Sequence, residues 1–135
     1  MPARVVLIVE DNEQNMELAS YLLEEAGFEV RKAGDAAEAR RALAGGERPD
    51  IVLMDMNLAG VDGLAIVGEL RRNPTNAALP VLALTAHAMR GDRERFLEGG
   101  CDGYLAKPID VKTFVRDVEA ALREGRHVRG GEERS

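Results

Sequence analysis

Glu10 and Asp11 follow the apolar run Val5-Val-Leu-Ile-Val9, and Asp55 follows Ile51-Val-Leu-Met54. Thr85 follows Val81-Leu-Ala-Leu84, and Lys107 follows Tyr104-Leu-Ala106. A carboxylate at the end of a buried strand is costly unless a partner compensates it. Two carboxylates about 4 Å apart repel by roughly 4 kcal/mol at an effective dielectric of 20. Should Glu10, Asp11 and Asp55 meet, they require a hard cation, or one of them holds its proton more tightly. Mg2+ suits a few carboxylates with waters completing its octahedron, whereas Ca2+ prefers a fuller cage of protein oxygens. A bound Mg2+ also draws in phosphate oxygens. Lys107 offers a point charge and Thr85 a hydroxyl, both useful to a phosphoryl group on or beside Asp55. A carboxylate nucleophile that forms an aspartyl phosphate is established chemistry for this residue type.

Each residue taken singly has a structural role open to it. Asp11 or Asn12 can cap a helix, Thr85 is a common strand-end residue, and Lys107 can form a structural ion pair with Asp55. Their convergence carries more weight than any one of them. Nucleotide binding has no support, because no G-x-x-x-x-G-K-[ST] loop is present and Glu-Asp-Asn-Glu-Gln-Asn follows the first apolar run.

What brings the five together is an alternation of strand and helix. Val5–Val9, Ile51–Met54 and Val81–Leu84 are continuous apolar runs, as in strands covered on both faces at the centre of a parallel sheet. Phe28-Glu-Val-Arg-Lys32 alternates and Tyr104-Leu-Ala106 is short, so both read as edge strands. Ala19, Leu22, Leu23 and Ala26 make a helical stripe that stops at Gly27. Asp35 with Glu38 opens a second helix that Gly45-Gly46 closes. Asp62 caps a third, carrying Ile66, Val67 and Leu70 and ending before Pro74. A fourth spans about Met89 to Leu97. The fifth is capped by Asp110, with Val111, Phe114, Val115, Val118 and Leu122 along one face.

The pattern predicts an α/β fold: a five-stranded parallel sheet of order 2-1-3-4-5, doubly wound and flavodoxin-like, with helices on both faces. In that order the switch point lies between strands one and three, and ligands bind outside their carboxyl ends. All five polar residues fall on that rim.

The chain has 135 residues, 45% of them apolar and 31% charged, which suits one globular domain. Its formal charge of −6 argues against general nucleic-acid binding. No apolar run approaches the roughly 20 residues of a spanning helix, and the lone Cys101 suits a reducing compartment. These features predict a cytoplasmic domain over residues 1–124 and a polar tail over 125–135, with no output domain and no membrane insertion. Fifteen arginines beside three lysines fit a GC-rich bacterial genome.

Val9-Glu-Asp-Asn12, Leu53-Met-Asp-Met56 with Asp62-Gly63, Leu84-Thr-Ala86 and Tyr104-Leu-Ala-Lys-Pro108 resemble the receiver domain of two-component response regulators. The likeness covers about residues 4–124. It implies that Asp55 is the phosphoacceptor and takes its phosphoryl group from a phosphohistidine on a kinase or phosphotransfer protein. It implies that Asp11 and Asp55 ligate Mg2+ with the backbone carbonyl of Asn57, while Glu10 acts mainly through water. Thr85 and Lys107 would hold phosphoryl oxygens, the bond before Pro108 would be cis, and Tyr104 would be the aromatic switch that turns inward with Thr85. One departure is Ala59, where the family often has proline; alanine leaves that loop less constrained. His87 occupies a position that varies in the family. His127 shows no sign of being a phosphorylated histidine, and Cys101 reads as a small core filler.

Such a receiver is a signalling switch rather than an enzyme, catalysing only its own Mg2+-dependent phosphorylation and dephosphorylation. Its readout face would be helix four, strand five and helix five, where a downstream regulator or kinase docks. Gly91-Asp-Arg-Glu-Arg95 and Gly99-Gly-Cys-Asp102 resemble cell-cycle and hybrid-kinase receivers more than chemotaxis ones. The alternative is a phosphorelay shuttle that passes the phosphoryl group to a second histidine protein. A phosphatase of the haloacid-dehalogenase type needs a second aspartate two residues after the nucleophile, and Asn57 stands there. A degenerate receiver that signals without phosphorylation is disfavoured by the complete set Glu10, Asp11, Asp55, Thr85 and Lys107.

Overall fold

The computed structural model describes residues 3–45, 47–86 and 91–125. His87, Met89, His127 and the tail beyond Gly125 lie outside them. The strands are β1 (Val5–Val9), β2 (Glu29–Ala33), β3 (Ile51–Asp55), β4 (Val81–Thr85) and β5 (Gly103–Ala106). Between them run α1 (Glu13–Glu25), α2 (Ala36–Ala44), α3 (Gly63–Arg71) and α4 (Asp92–Glu98), with α5 (Phe114–Glu124) last. All five strands pair in parallel, in the order β2-β1-β3-β4-β5. The expected doubly wound fold is therefore the observed one.

Successive side chains of a strand face opposite ways, and both faces here are covered. Val6, Ile8, Ile51, Leu53, Leu82 and Leu84 pack with Met16, Ala19 and Leu23 of α1 and Phe114 and Val118 of α5. Leu7, Val9, Val52, Met54 and Ala83 pack on the other face with Ala39 and Leu43 of α2, Ile66 and Val67 of α3, and Phe96 of α4. Every residue of β3 and β4 is buried, which explains their unbroken apolar runs. Cys101 is buried within the second of these clusters.

α4 and β5 run over Asp92–Glu98 and Gly103–Ala106 rather than about 89–97 and 104–106, and three further details differ from the sequence reading. The inward face of α1 is Met16, Ala19, Ser20 and Leu23, and Ala26 is exposed. Gly27 (φ 97°) donates to the carbonyl of Glu24 and Phe28 to that of Leu23, the paired bonds of a glycine-terminated helix. Phe28 is thus spent on the turn, and β2 begins one residue later, at Glu29. At the other end, Asp110 does not cap α5. Its side chain accepts from the backbone N–H of Lys112 and its carbonyl from those of Thr113 and Phe114, so it closes a separate turn before the helix. Val111 is consequently 54% exposed rather than part of the apolar stripe.

Two features went unanticipated. Pro74–Asn76 forms a short 3-10 helix. After β3, Asn57–Leu58 pairs antiparallel with Val61–Asp62 through a tight turn at Ala59 and Gly60. Both central residues have positive φ, 48° and 88°, as the primed hairpin turns require. The expectation of a looser loop at Ala59 is corrected here. Alanine occupies a left-handed conformation that proline, fixed near −65°, is barred from. Ala59→Gly is expected to raise stability by about 1 kcal/mol by removing the Cβ penalty. Ala59→Pro is expected to lower stability by more than that gain. Urea unfolding of both variants checks the pair; a stabilised proline variant would refute the turn.

Candidate functional site

Backbone ladders that continue past the carboxyl ends of the strands aim the polar residues. Glu10 N–H donates to the carbonyl of Ala33, Met56 N–H to that of Leu84, and Lys107 N–H to that of Thr85. Asn12 rather than Asp11 caps α1, its side-chain oxygen accepting from Asn15 N–H at 2.9 Å. The exposed Asp11 carboxylate is thereby left for the site.

Glu10, Asp11 and Asp55 each place a carboxylate oxygen within 4.8 Å of the other two. Glu10 is 3% exposed and Asp55 2%. Lys107 reaches across from the end of β5, its Nζ 3.2 Å from Glu10 Oε1 and 3.2 Å from Asp55 Oδ1. Backbone amides supply two further donors: Asn12 N–H to Glu10 Oε2 at 3.1 Å and Asn57 N–H to Asp55 Oδ1 at 3.0 Å. Burial pushes the Glu10 carboxyl above its ordinary range, against the Asn12 amide, and the nearby Asp55 charge pushes the same way. Burial pulls Lys107 down, but Asp55 and then Glu10 more than offset it, so the ammonium is held more firmly than usual.

Asp55 is asymmetric. Its Oδ1 takes both Lys107 and Asn57, while Oδ2 is buried with no hydrogen-bond partner. A buried carboxylate oxygen without a donor is costly, and this one belongs to a cluster of three acids facing one ammonium. Hard oxygen donors in that number fit Mg2+ with waters rather than a softer metal.

Thr85 is buried at the end of β4, the neighbour of β3 on the same rim. Tyr104 lies outside the cluster on edge strand β5, 36% exposed, its ring 6.1 Å from that of Phe96 and tilted by 58°. Asn57 contributes its backbone N–H to Asp55 and accepts Gly60 N–H on its side-chain oxygen. The Lys107–Pro108 peptide bond is cis.

Sequence reasoning missed the two backbone amides, which no residue type announces. It quoted Gly63 but gave it no role. A Cβ there would stand 2.2 Å from the backbone oxygen of Asp55, so only glycine lets α3 start so close to the end of β3.

Comparison with known proteins agrees with this geometry. Residues 6–119 match the response regulator receiver domain family. The polar-differentiation response regulator DivK of Brucella anthropi is 43% identical over 117 residues, which cover 87% of this chain and 94% of that protein. A response regulator from Chloroflexus aurantiacus has the same fold with a TM-score of 0.83 at 32% identity, over 90% of this chain and 99% of that one. The receiver domain of the sensor histidine kinase PA1611 from Pseudomonas aeruginosa superposes with a TM-score of 0.79 at 33% identity, over 90% of this chain and 99% of that one. That domain was solved with a magnesium ion coordinated in its active site cleft.

Charge imbalance at the cluster yields opposite expectations for two substitutions. Lys107→Met leaves Glu10 and Asp55 buried without a counter-charge and is expected to cost about 3 kcal/mol. Asp55→Asn removes one of three repelling carboxylates and is expected to stabilise the metal-free protein by about 1–2 kcal/mol. Urea unfolding in EDTA measures both, and a destabilised Asp55→Asn would contradict the imbalance. Added Mg2+ should raise the wild-type midpoint more than that of Asp55→Asn, because a ligand stabilises the state that binds it.

Proposed function

The chain belongs to the response regulator receiver domain family, and from that premise we propose that it is a phosphorylation-driven switch with Asp55 as phosphoacceptor. One observation carries the reading: the buried Asp55 carboxylate has Lys107 on one oxygen, no partner on the other, and two more acids within 4.8 Å. Asp11 and Asp55 would hold Mg2+ together with the carbonyl of Asn57, and Glu10 would act through water. The ion would neutralise the acids and draw in phosphoryl oxygens.

The phosphoryl donor is a phosphohistidine on a kinase or phosphotransfer protein. As Asp55 Oδ2 bonds to phosphorus, the P–N bond to the donor imidazole breaks. Lys107 then holds a phosphoryl oxygen by charge, and Thr85 another through its hydroxyl. The added charge, −1.5 to −2 at neutral pH on a phosphorylated side chain, biases a two-state element containing Thr85 and Tyr104. Residues 1–124 act as one receiver in the cytoplasm, and output passes by protein contact at α4, β5 and α5. A relay to a second histidine protein is the alternative use of the same aspartyl phosphate.

Incubation with acetyl phosphate, followed by intact mass measurement, tests the chemistry. The wild type should gain one phosphoryl group only when Mg2+ is present, and Asp55→Asn should gain none. No gain in folded wild-type protein, beside a control receiver that does gain, would refute the reading.

A further inference from the structure

We propose that the groove between edge strand β5 and helix α5 takes an extended, cationic segment of a partner protein as a sixth strand of the sheet. The inference rests on the reading of this face as the output surface and specifies the chemistry of what docks there.

The outer edge of β5 pairs with no strand among the described residues. An open edge of this kind presents backbone donors and acceptors to any incoming strand. Its four residues offer a span of roughly 13 Å. Beside it run two adjoining hollows of about 240 and 310 Å3, which share Tyr104, Leu105 and Asp117. Every charged side chain lining either hollow is a carboxylate: Asp102, Asp110, Asp117 and Glu124. Asp102 is already paired with Arg71 at 3.1 Å. Asp117 and Glu124 have no ion-pair partner among the described residues. They stand seven positions apart on one face of α5, with Ala120 and Ala121 between them. Two alanines leave room for a second backbone to approach, and the two carboxylates would meet its cations.

The other flank of β5 has the opposite character. There the Tyr104 ring faces Phe96, and the Arg95 guanidinium lies 4.9 Å over the Phe96 ring. Side chains of an added strand alternate between the two flanks. One set meets carboxylates and the other meets aromatic rings with a guanidinium. The fitting segment therefore carries Arg or Lys at every second position and apolar residues between.

Fluorescein-Arg-Val-Arg-Val-Arg-NH2, labelled at its amino terminus, is the probe, with its Glu-Val counterpart and its fully backbone N-methylated counterpart as controls, and anisotropy is read before and after acetyl phosphate treatment. The Arg-Val peptide should bind at least tenfold more tightly than either control, because one control inverts the charge and the other lacks the N–H groups a strand must donate. Its affinity should fall with added salt. The variant Asp117→Asn with Glu124→Gln should bind about tenfold more weakly, as the loss of two exposed ion pairs allows. Its unchanged phosphoryl uptake would show that it is folded. Equal binding of the N-methylated peptide would overturn strand addition, and undiminished binding to the double variant would overturn the acidic groove. Removal of residues 126–135 should leave affinity unchanged; a tenfold gain would assign the groove to the chain's own tail. Equal affinity before and after phosphoryl uptake would remove the output role and leave the groove assignment standing. Uptake with no preference for the Arg-Val peptide would do the reverse.

Discussion

Three carboxylates set against one ammonium at the carboxyl end of a single sheet are the constraint on which the rest of the structure depends. Each contact from Lys107, at 3.2 Å, is worth roughly 5 kcal/mol at an effective dielectric of 20. Glu10, Asp11 and Asp55 lie within 4.8 Å of one another, and each repulsion among them is roughly 3 kcal/mol or more on the same scale. Attraction and repulsion come close to cancelling. The cost of burying Glu10 and Asp55 is therefore not recovered at the site and must be met elsewhere. The sheet meets it: β1, β3 and β4, which deliver these residues, are the strands covered by apolar side chains on both faces.

The opposite end of the sheet is a contrast in polar satisfaction. Arg71, at the end of α3, donates to the carbonyls of Asn76, Leu79 and Gly100 and to the Asp102 carboxylate. That carboxylate also accepts Val81 N–H at the start of β4. One guanidinium thus ties α3, the 3-10 turn, the segment after α4 and two strands together, with good geometry and little exposure. Charge-assisted bonds of this kind are about twice as strong as neutral ones. At the amino ends of β4 and β5 the Arg71–Asp102 charge pair is satisfied, although the neighbouring Asn76 Oδ1 is buried without a partner, while at the carboxyl ends a charged oxygen, Asp55 Oδ2, is left so. Such a division lets one rim answer a ligand while the other holds the strands in register.

The sheet and the rim were legible from the sequence because both depend on patterns of one or two residue types. Apolar runs fixed which strands lie inside, and each run ended on a polar residue that the topology had to bring to the same rim. Boundaries set by backbone hydrogen bonds were not legible. Phe28 looked like the first residue of a strand, yet the glycine-terminated turn of α1 uses its N–H. Asp110 looked like a helix cap, but the same side chain serves a turn just as well. The Ala59 turn was hidden for a related reason. Alanine gives no signal for positive φ, and the pairing of Asn57–Leu58 with Val61–Asp62 imposes it.

That small ladder bears on reactivity. Its tight turn holds Asn57, whose N–H donates to Asp55 Oδ1, and Gly63 lets α3 begin against the Asp55 backbone. Lys107 binds the same oxygen. Donors on a carboxylate oxygen draw its electron density toward themselves and hold it in place. Oδ2, which has none, keeps its lone pairs available and bears the cost of lacking a partner. In the proposed phosphoacceptor, the oxygen that is least satisfied at rest is thus the one poised to attack phosphorus. Bonding to phosphorus would relieve that deficit, and Lys107 would already stand beside the product to balance part of its charge. Relief of that deficit would offset part of the cost of the charge that phosphorylation adds beside Glu10 and Asp11.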